Sequence, residues 1–88
     1  MQIKILGPGC AKCHQLEKET REAVKELGIE ADIEEVKDIA KILDYPILTT
    51  PGLVINEEVV CSGRVPNKAE ITGFITDAQD AERGTKEG

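Results

Sequence analysis

The chain has very few aromatic residues, with one Phe, one Tyr and no Trp among 88 residues. Its core must therefore be built from aliphatic side chains, within an apolar fraction of 40% that is ordinary for a globular protein. No apolar run approaches the roughly 18 residues that a membrane-spanning helix needs. The length is sufficient for one domain with one hydrophobic core. We expect a single small globular domain that does not enter a membrane.

Positive charge is also scarce, since 11 Lys and Arg residues face 17 Asp and Glu residues and the net charge is −6. Surfaces that bind nucleic acid or anionic lipid need clusters of basic residues. The sequence therefore predicts neither a nucleic-acid partner nor a membrane partner. The chain starts directly with a strand-like segment and lacks the charged and apolar regions of a secretory signal. On this basis we expect a cytoplasmic protein.

Cysteine occurs only three times, and two of the three form a C-x-x-C motif at Cys10 and Cys13. The motif follows an apolar strand at 1–6 and a Gly-Pro-Gly turn, and it precedes a long helical pattern. Thiols at this spacing can form a disulfide, and the unpaired N–H groups of a helix start favour a thiolate. A closed four-cysteine zinc site cannot form within one chain, because only Cys61 remains. Dithiol–disulfide chemistry is therefore the preferred interpretation.

The spacing of apolar residues predicts alternating strands and helices. Capping and turn residues mark several of the boundaries. The predicted elements are a strand at 1–6, a helix at 11–27 ending at Gly28, a strand at 29–34, a short helix after Asp38, a hairpin of strands at 53–55 and 58–61, and a helix from Asn67 to residue 78.

The resulting order is β-α-β-α-β-β-α. An early parallel crossover and a late hairpin predict an α/β fold with a mixed four-stranded sheet flanked by helices. Residues 1–78 would form this domain. No apolar position recurs in residues 79–88, so we expect a polar, frayed tail there.

A second motif, Thr49-Thr50-Pro51, lies directly before the predicted hairpin. With the cysteine pair after the first strand, it makes residues 1–78 resemble the thioredoxin/glutaredoxin family. The resemblance is to its small redox-active disulfide proteins of prokaryotes. It implies a thioredoxin-like fold in which the Thr50–Pro51 peptide bond is cis, a state that proline adopts at low cost. The backbone of Thr50 would then bind the extended main chain of a partner.

The activity that the resemblance implies is thiol–disulfide exchange on protein disulfides. Cys10, at the helix start, would attack a partner disulfide, and Cys13, within the first turn, would resolve the mixed disulfide. The implied partners are protein disulfide substrates and a reductase. We expect a monomer with no cofactor and no metal. Glutathione use is an open question, because residues 62–67 lack the Gly-Gly and the acid that hold glutathione in glutaredoxins.

Three other side chains are candidates for smaller roles. Lys12 and His14 are cations near the positive end of the helix dipole, which costs helix stability unless they serve a thiolate. We therefore predict that Lys12 tunes the pKa of Cys10, against the alternative of a solvated side chain. Cys61 is interpreted as a small buried hydrophobe on a hairpin strand, with a regulatory or metal-binding thiol as the alternative.

Two other functional classes stay open at this stage. A soft-metal protein, such as a copper chaperone or a zinc binder, also places C-x-x-C at the start of its first helix. Such domains usually have Met-x-Cys before the pair and run β-α-β-β-α-β, unlike this chain. The other class is a redox-inactive interaction module of the same fold, against which the intact pair of Cys10 and Cys13 argues.

Overall fold

The computed structural model of the chain describes residues 1–47 and 49–82. Strands and helices follow each other in the predicted order, so the fold-class prediction is confirmed. The elements are β1 (Gln2–Leu6), α1 (Ala11–Leu27), β2 (Asp32–Val36), α2 (Ile39–Ile42), β3 (Gly52–Ile55), β4 (Glu58–Ser62) and α3 (Lys68–Glu82). No helix in this described part of the chain is both long and apolar enough to cross a membrane.

The sheet has the order β2-β1-β3-β4, with β1 and β2 parallel and the other two pairs antiparallel. Successive side chains of a strand point to opposite faces, so β1 contributes to both sides of the sheet. Two apolar clusters result, where the sequence predicted one core. On the face covered by α1 and α3 the buried residues are Ile3, Ile5, Leu16, Ala23, Leu53, Ile55, Ile71 and Ile75. On the face covered by α2 they are Leu6, Val36, Ile42 and Val54.

Helix α1 connects directly to the end of β1 through the Gly-Pro-Gly turn. Cys10 is its N-cap residue, and Gly28 ends it in the left-handed conformation with φ 67°. Glycine adopts this conformation without steric cost, and the N–H of Gly28 bonds to the carbonyls of Val24 and Lys25. This end of the helix was predicted from the sequence. The first turn of α1 therefore lies at the carboxyl end of the central strand β1.

Strand β2 begins later than the sequence predicted, at Asp32 instead of residue 29. The prediction of a strand at 29–34 followed the alternation of apolar residues, but pairing with β1 decides where the strand lies. Ile3 of β1 pairs with Ile33, and Ile5 pairs with Glu35. Ile29 packs against the larger cluster before the strand starts. The pairing of Glu35 with Ile5 places Glu35 on the sheet face that α1 covers.

The β3–β4 hairpin turns at Asn56 and Glu57, as predicted. Both residues have positive φ, 51° and 69°, which the preferred two-residue hairpin turn requires. Glycine, the usual second residue of such a turn, is absent, and side-chain hydrogen bonds hold Glu57 instead. Its carboxylate accepts from the ammonium of Lys4 at 2.8 Å and from the hydroxyl of Tyr45 at 2.7 Å. These contacts compensate for the strained backbone.

Helix α3 begins with the predicted capping box, in which Asn67 and Glu70 exchange hydrogen bonds of 2.8 and 3.0 Å. It continues to Glu82, four residues beyond the predicted end of the domain. The Glu82 carboxylate accepts a 2.7 Å bond from the side-chain amide of Asn56. The prediction of a frayed tail from residue 79 is therefore wrong for residues 79–82, which belong to α3. Residues 83–88 lie outside the described residues.

Candidate active site

Cys10 occupies the N-cap position of α1 and is exposed to solvent. Its backbone is extended, with φ −74° and ψ 171°. The Sγ atom accepts a hydrogen bond from the backbone N–H of Cys13 at 3.3 Å, and the Cys10 carbonyl accepts from the N–H of His14 at 3.0 Å. Sulfur thus takes the place of the oxygen that usually caps a helix. The sulfur of Cys10 is aimed at the positive end of the helix.

Cys13 lies below Cys10 in the first turn and is 4% exposed. Gly7, which directly follows β1, provides the space for it. A Cβ atom on Gly7 would collide with the sulfur of Cys13. The N–H of Gly7 also bonds to the carbonyl of Val36 at 3.0 Å, which fixes the backbone there. The sequence analysis missed this role of Gly7, although a glycine just before a functional motif often marks a place where another group packs closely against the backbone.

The two thiols differ in acidity. A hydrogen bond from the Cys13 thiol is the largest cause that lowers the pKa of Cys10, and the backbone amides of Cys13, Lys12 and Cys10 add to it. Burial is the largest cause that raises the pKa of Cys13, and its hydrogen bond to Cys10 acts in the same direction. The first proton is therefore lost from Cys10, and Cys13 keeps its proton as the donor to that thiolate.

Lys12, His14 and Cys61, the candidates for smaller roles, are not part of this pair of thiols. Lys12 and His14 are exposed, and the identified contribution of Lys12 to the Cys10 pKa comes from its backbone amide. Tuning by the Lys12 ammonium stays a prediction. Cys61 is half-buried and packs against the larger apolar cluster, less enclosed than the sequence suggested.

The Thr50–Pro51 segment faces the cysteine pair. Its peptide bond is cis, and Pro51 is buried. Thr50 and Cys13 both lie next to Gly7. The Cβ atom of Thr50 is 3.8 Å from the position that a Cβ on Gly7 would occupy, and the sulfur of Cys13 fills that position. The carbonyl of Pro51 accepts a hydrogen bond from Gly63 at 2.9 Å, which ties this loop to the end of β4. The fold therefore brings the two sequence motifs together.

An apolar groove begins at Thr50 and runs along α2. Ile39 and Leu43 are the exposed large hydrophobic residues in the described part of the chain, at 56% and 71% exposure. Of the residues of the short helix α2, only Ile42 is buried. The groove has a volume of about 420 Å³ and is lined by Ile39, Ile42, Leu43, Ile47, Thr49 and Thr50.

Lys37 lies beside the active-site turn, a position that the sequence did not indicate. Its side chain passes Gly9 in the active-site turn, with Cε 3.8 Å from where a Cβ on Gly9 would lie. Its ammonium group lies 3.4 Å from the carboxylate of Glu35. The residue reaches this position because β2 runs parallel to β1 and ends beside the same turn. Only the register of the sheet, and no local motif, could have revealed it.

Comparison with known proteins agrees with this geometry. Residues 1–76 match the family model of the thioredoxin domain. The chain belongs to the thioredoxin family. A thioredoxin of Methanothermobacter thermautotrophicus is 49% identical over 76 residues, which cover 86% of this chain and 99% of that protein. A thioredoxin of Methanocaldococcus jannaschii is 39% identical over 69 residues, which cover 78% of this chain and 79% of that protein.

This thioredoxin-family chain is a thiol–disulfide oxidoreductase, as the sequence predicted. The exposed cysteine of lowered pKa and the buried cysteine of raised pKa are the dithiol arrangement that such chemistry needs. The order β-α-β-α-β-β-α also differs from the β-α-β-β-α-β order expected of the copper chaperones. The observed fold therefore does not support the soft-metal alternative.

The acidity difference can be measured by alkylation of the reduced protein. We predict that iodoacetamide modifies Cys10 first, with a rate that rises with pH and levels off at a midpoint below the ordinary value of about 8.5. Below that midpoint the thiolate fraction falls about tenfold per pH unit. Peptide mass spectrometry after timed quenching would assign each modified cysteine. Faster alkylation of Cys13, or a Cys10 midpoint at or above that of an ordinary cysteine, would contradict the assignment.

The same assay tests the predicted role of Lys12. Lys12→Glu replaces a cation near the thiolate by an anion, so the Cys10 midpoint should rise by a modest amount that shrinks with added salt. Lys18→Glu makes the same charge change at an exposed position further along α1 and serves as the matched control. Equal midpoints in the two variants would make Lys12 a bystander and leave the helix amides and Cys13 as the source of acidity.

Proposed function

We propose that this oxidoreductase acts on disulfides of proteins, with Cys10 as the attacking thiol and Cys13 as the resolving thiol. The observation that carries the proposal is the opposite shift of the two pKa values at an exposed and a buried sulfur. A thiolate is the reactive form in disulfide exchange, and it must also be accessible to a large substrate. Cys10 combines the two properties.

The reaction proceeds in two exchanges. The Cys10 thiolate attacks one sulfur of the substrate disulfide, the substrate S–S bond breaks, and the other substrate sulfur leaves as a thiolate that takes up a proton. Cys13 then gives up its proton and attacks the sulfur of Cys10, which releases the second substrate thiol. The substrate gains two electrons and two protons, and the Cys10–Cys13 disulfide remains. The same steps in reverse oxidise a partner dithiol.

Polypeptide binding is supported by what surrounds the thiols. We assign to the backbone of Thr50, next to the cis bond to Pro51, the binding of an extended substrate main chain by strand addition. The apolar groove along α2 continues from Thr50 and would receive an apolar side chain of the same substrate. An exposed apolar patch beside a reactive centre is typical of a surface that contacts another protein.

Glutathione is a less suitable partner for this site. The arginine after the hairpin, Arg64, is the nearest candidate in sequence for binding a small carboxylate. Both of its terminal nitrogens instead bond to the two oxygens of Glu70, at 3.1 and 2.9 Å. This bidentate pair raises the pKa of Arg64 and lowers that of Glu70, chiefly through the hydrogen bonds between the two groups. A substrate carboxylate would have to compete with it.

The remaining parts of the proposal follow from the chemistry and from the sequence. A chain that reduces protein disulfides must itself be reduced after each turnover, and because glutathione is a less suitable partner, we propose a reductase as its second partner. We further propose that the protein acts as a monomer in the cytoplasm. In that compartment a thiol pair is kept reduced and is catalytic rather than structural.

The division of roles predicts different fates for two single variants. Cys13→Ser keeps the attacking thiolate but cannot resolve, so it should accumulate mixed disulfides between Cys10 and substrate proteins. Cys10→Ser should lose disulfide reduction and trap nothing. Incubation with a disulfide-containing protein such as insulin, followed by non-reducing electrophoresis and mass spectrometry, would measure both outcomes. Cys61→Ser is the control and should retain full turnover.

Equal trapping by the two variants would contradict the roles assigned to Cys10 and Cys13. A soft-metal protein would give yet another pattern. Loss of either thiolate would then weaken copper or zinc affinity to a similar extent, and disulfide turnover would be absent in the wild-type chain.

The apolar groove predicts a dependence on substrate size. Contact with a substrate side chain at Leu43 should contribute about 1.5 kcal/mol, so Leu43→Glu should lower kcat/KM for a protein disulfide about tenfold. Reduction of a small aromatic disulfide, which needs only the thiols, should be unchanged. Lys41→Glu places an acid on the same short helix outside the groove and is the matched control. If kcat/KM for both substrates falls equally in Leu43→Glu, the groove has no part in substrate binding.

A further inference from the structure

A second group of chemically active side chains lies beside the dithiol helix. It consists of His14 and Glu17 on α1 and Glu35 on β2, and we call it the His14 cluster. One imidazole nitrogen and one carboxylate oxygen of each glutamate lie within 4.8 Å of one another. The thiol–disulfide chemistry described above uses none of these three side chains.

The fold itself brings the three residues together. His14 and Glu17 are three apart and therefore project from neighbouring positions on one face of α1. Glu35 pairs with Ile5, whose side chain lies in the cluster that α1 covers, so Glu35 points to the same side. The three donors thus come from two rigid elements whose relative position is fixed by the sheet.

The two carboxylates are held closer than like charges prefer. The Glu17 and Glu35 side chains are only 21% and 25% exposed, and one oxygen of each lies within 4.8 Å of the other. A pair of carboxyl groups in contact is stabilised by a proton or a cation placed between them.

We propose that the His14 cluster binds a divalent first-row transition metal ion of the zinc type. One imidazole and two carboxylates are a donor set that suits Zn²⁺ and its neighbours, whereas calcium and magnesium take oxygen ligands. With ligand bonds of about 2.1 Å, two donors on a tetrahedral ion lie about 3.4 Å apart, so small side-chain rotations bring these groups into range. Three protein ligands leave the fourth position open to water.

Two side-chain cations already contact the cluster and would compete with the metal. Arg21 lies 2.8 Å from Glu17, and Lys37 lies 3.4 Å from Glu35. Both are long side chains that are more than half exposed, so each can turn to solvent when an ion arrives. Exposed ion pairs of this kind contribute little stability. Removing one of these two cations should therefore tighten metal binding at the His14 cluster.

The test uses the full chain with the Cys10–Cys13 disulfide closed, so that the pair cannot supply thiolates. Titration with Co²⁺ should give saturable one-to-one binding with weak visible bands and no intense sulfur-to-cobalt charge-transfer band, and Zn²⁺ should displace the ion. His14 is the only histidine of the chain, so its ring signals report binding directly by NMR. Diamagnetic Zn²⁺ should shift those signals at the same stoichiometry. An intense charge-transfer band would mean that sulfur is a ligand and would overturn the proposal.

Single variants distinguish a specific metal site from nonspecific attraction of metal ions to the acidic surface. His14→Gln and Glu35→Gln should each weaken Co²⁺ binding at least tenfold, and Lys37→Ala should tighten it. Glu34→Gln removes the same charge from the neighbouring residue, which lines a pocket with Lys4 and Tyr45 on the opposite face, and should leave the affinity unchanged. Equal losses in Glu34→Gln and Glu35→Gln, an unchanged affinity in His14→Gln, or the absence of saturable binding would each refute the site.

Discussion

The structure depends on one hydrogen-bonding constraint at the start of α1. The first N–H groups of a helix have no partner within the helix, and they need an acceptor at the N-cap. Here the acceptor is the sulfur of Cys10, the atom to which we assign the attack on disulfides. The requirement that normally selects Ser or Asp thus stabilises a thiolate instead. Because α1 follows β1 after a short turn, the same constraint holds the sulfur of Cys10 at the carboxyl end of the central strand.

The burial of the Cys13 thiol depends on the missing side chain of Gly7. Cys13 fits beneath Cys10 because Gly7 leaves no Cβ in the space that the sulfur occupies. Burial raises the pKa of Cys13 and so keeps its proton available for the hydrogen bond to Cys10. The two sulfurs are identical in chemistry and three residues apart in sequence. Their different acidity comes from the position of each relative to the helix end and to Gly7, which directly follows β1.

Local signals in the sequence were sufficient for most of the fold and for the reacting pair. The C-x-x-C spacing, the capping box of Asn67 and Glu70, and the Asn-Glu hairpin each depend on residues a few positions apart. The start of β2 was mispredicted because alternation favoured Ile29, whereas pairing with β1 begins at Asp32. The position of Lys37 beside the active-site turn follows from that register. Such relations join residues about thirty positions apart, which no local pattern encodes.

The central claim is that Cys10 and Cys13 form the working redox couple and that Cys61 stands outside it. Equilibration of the reduced protein in dithiol–disulfide buffers of defined potential, followed by acid quenching, alkylation and peptide mass spectrometry, tests this most directly. The account predicts one two-electron transition, about 30 mV per tenfold change in the ratio of the two forms, in which Cys10 and Cys13 lose their free thiols together. Cys61 should stay alkylatable after unfolding at every potential. A disulfide between Cys10 and Cys61, or separate transitions for Cys10 and Cys13, would contradict the account.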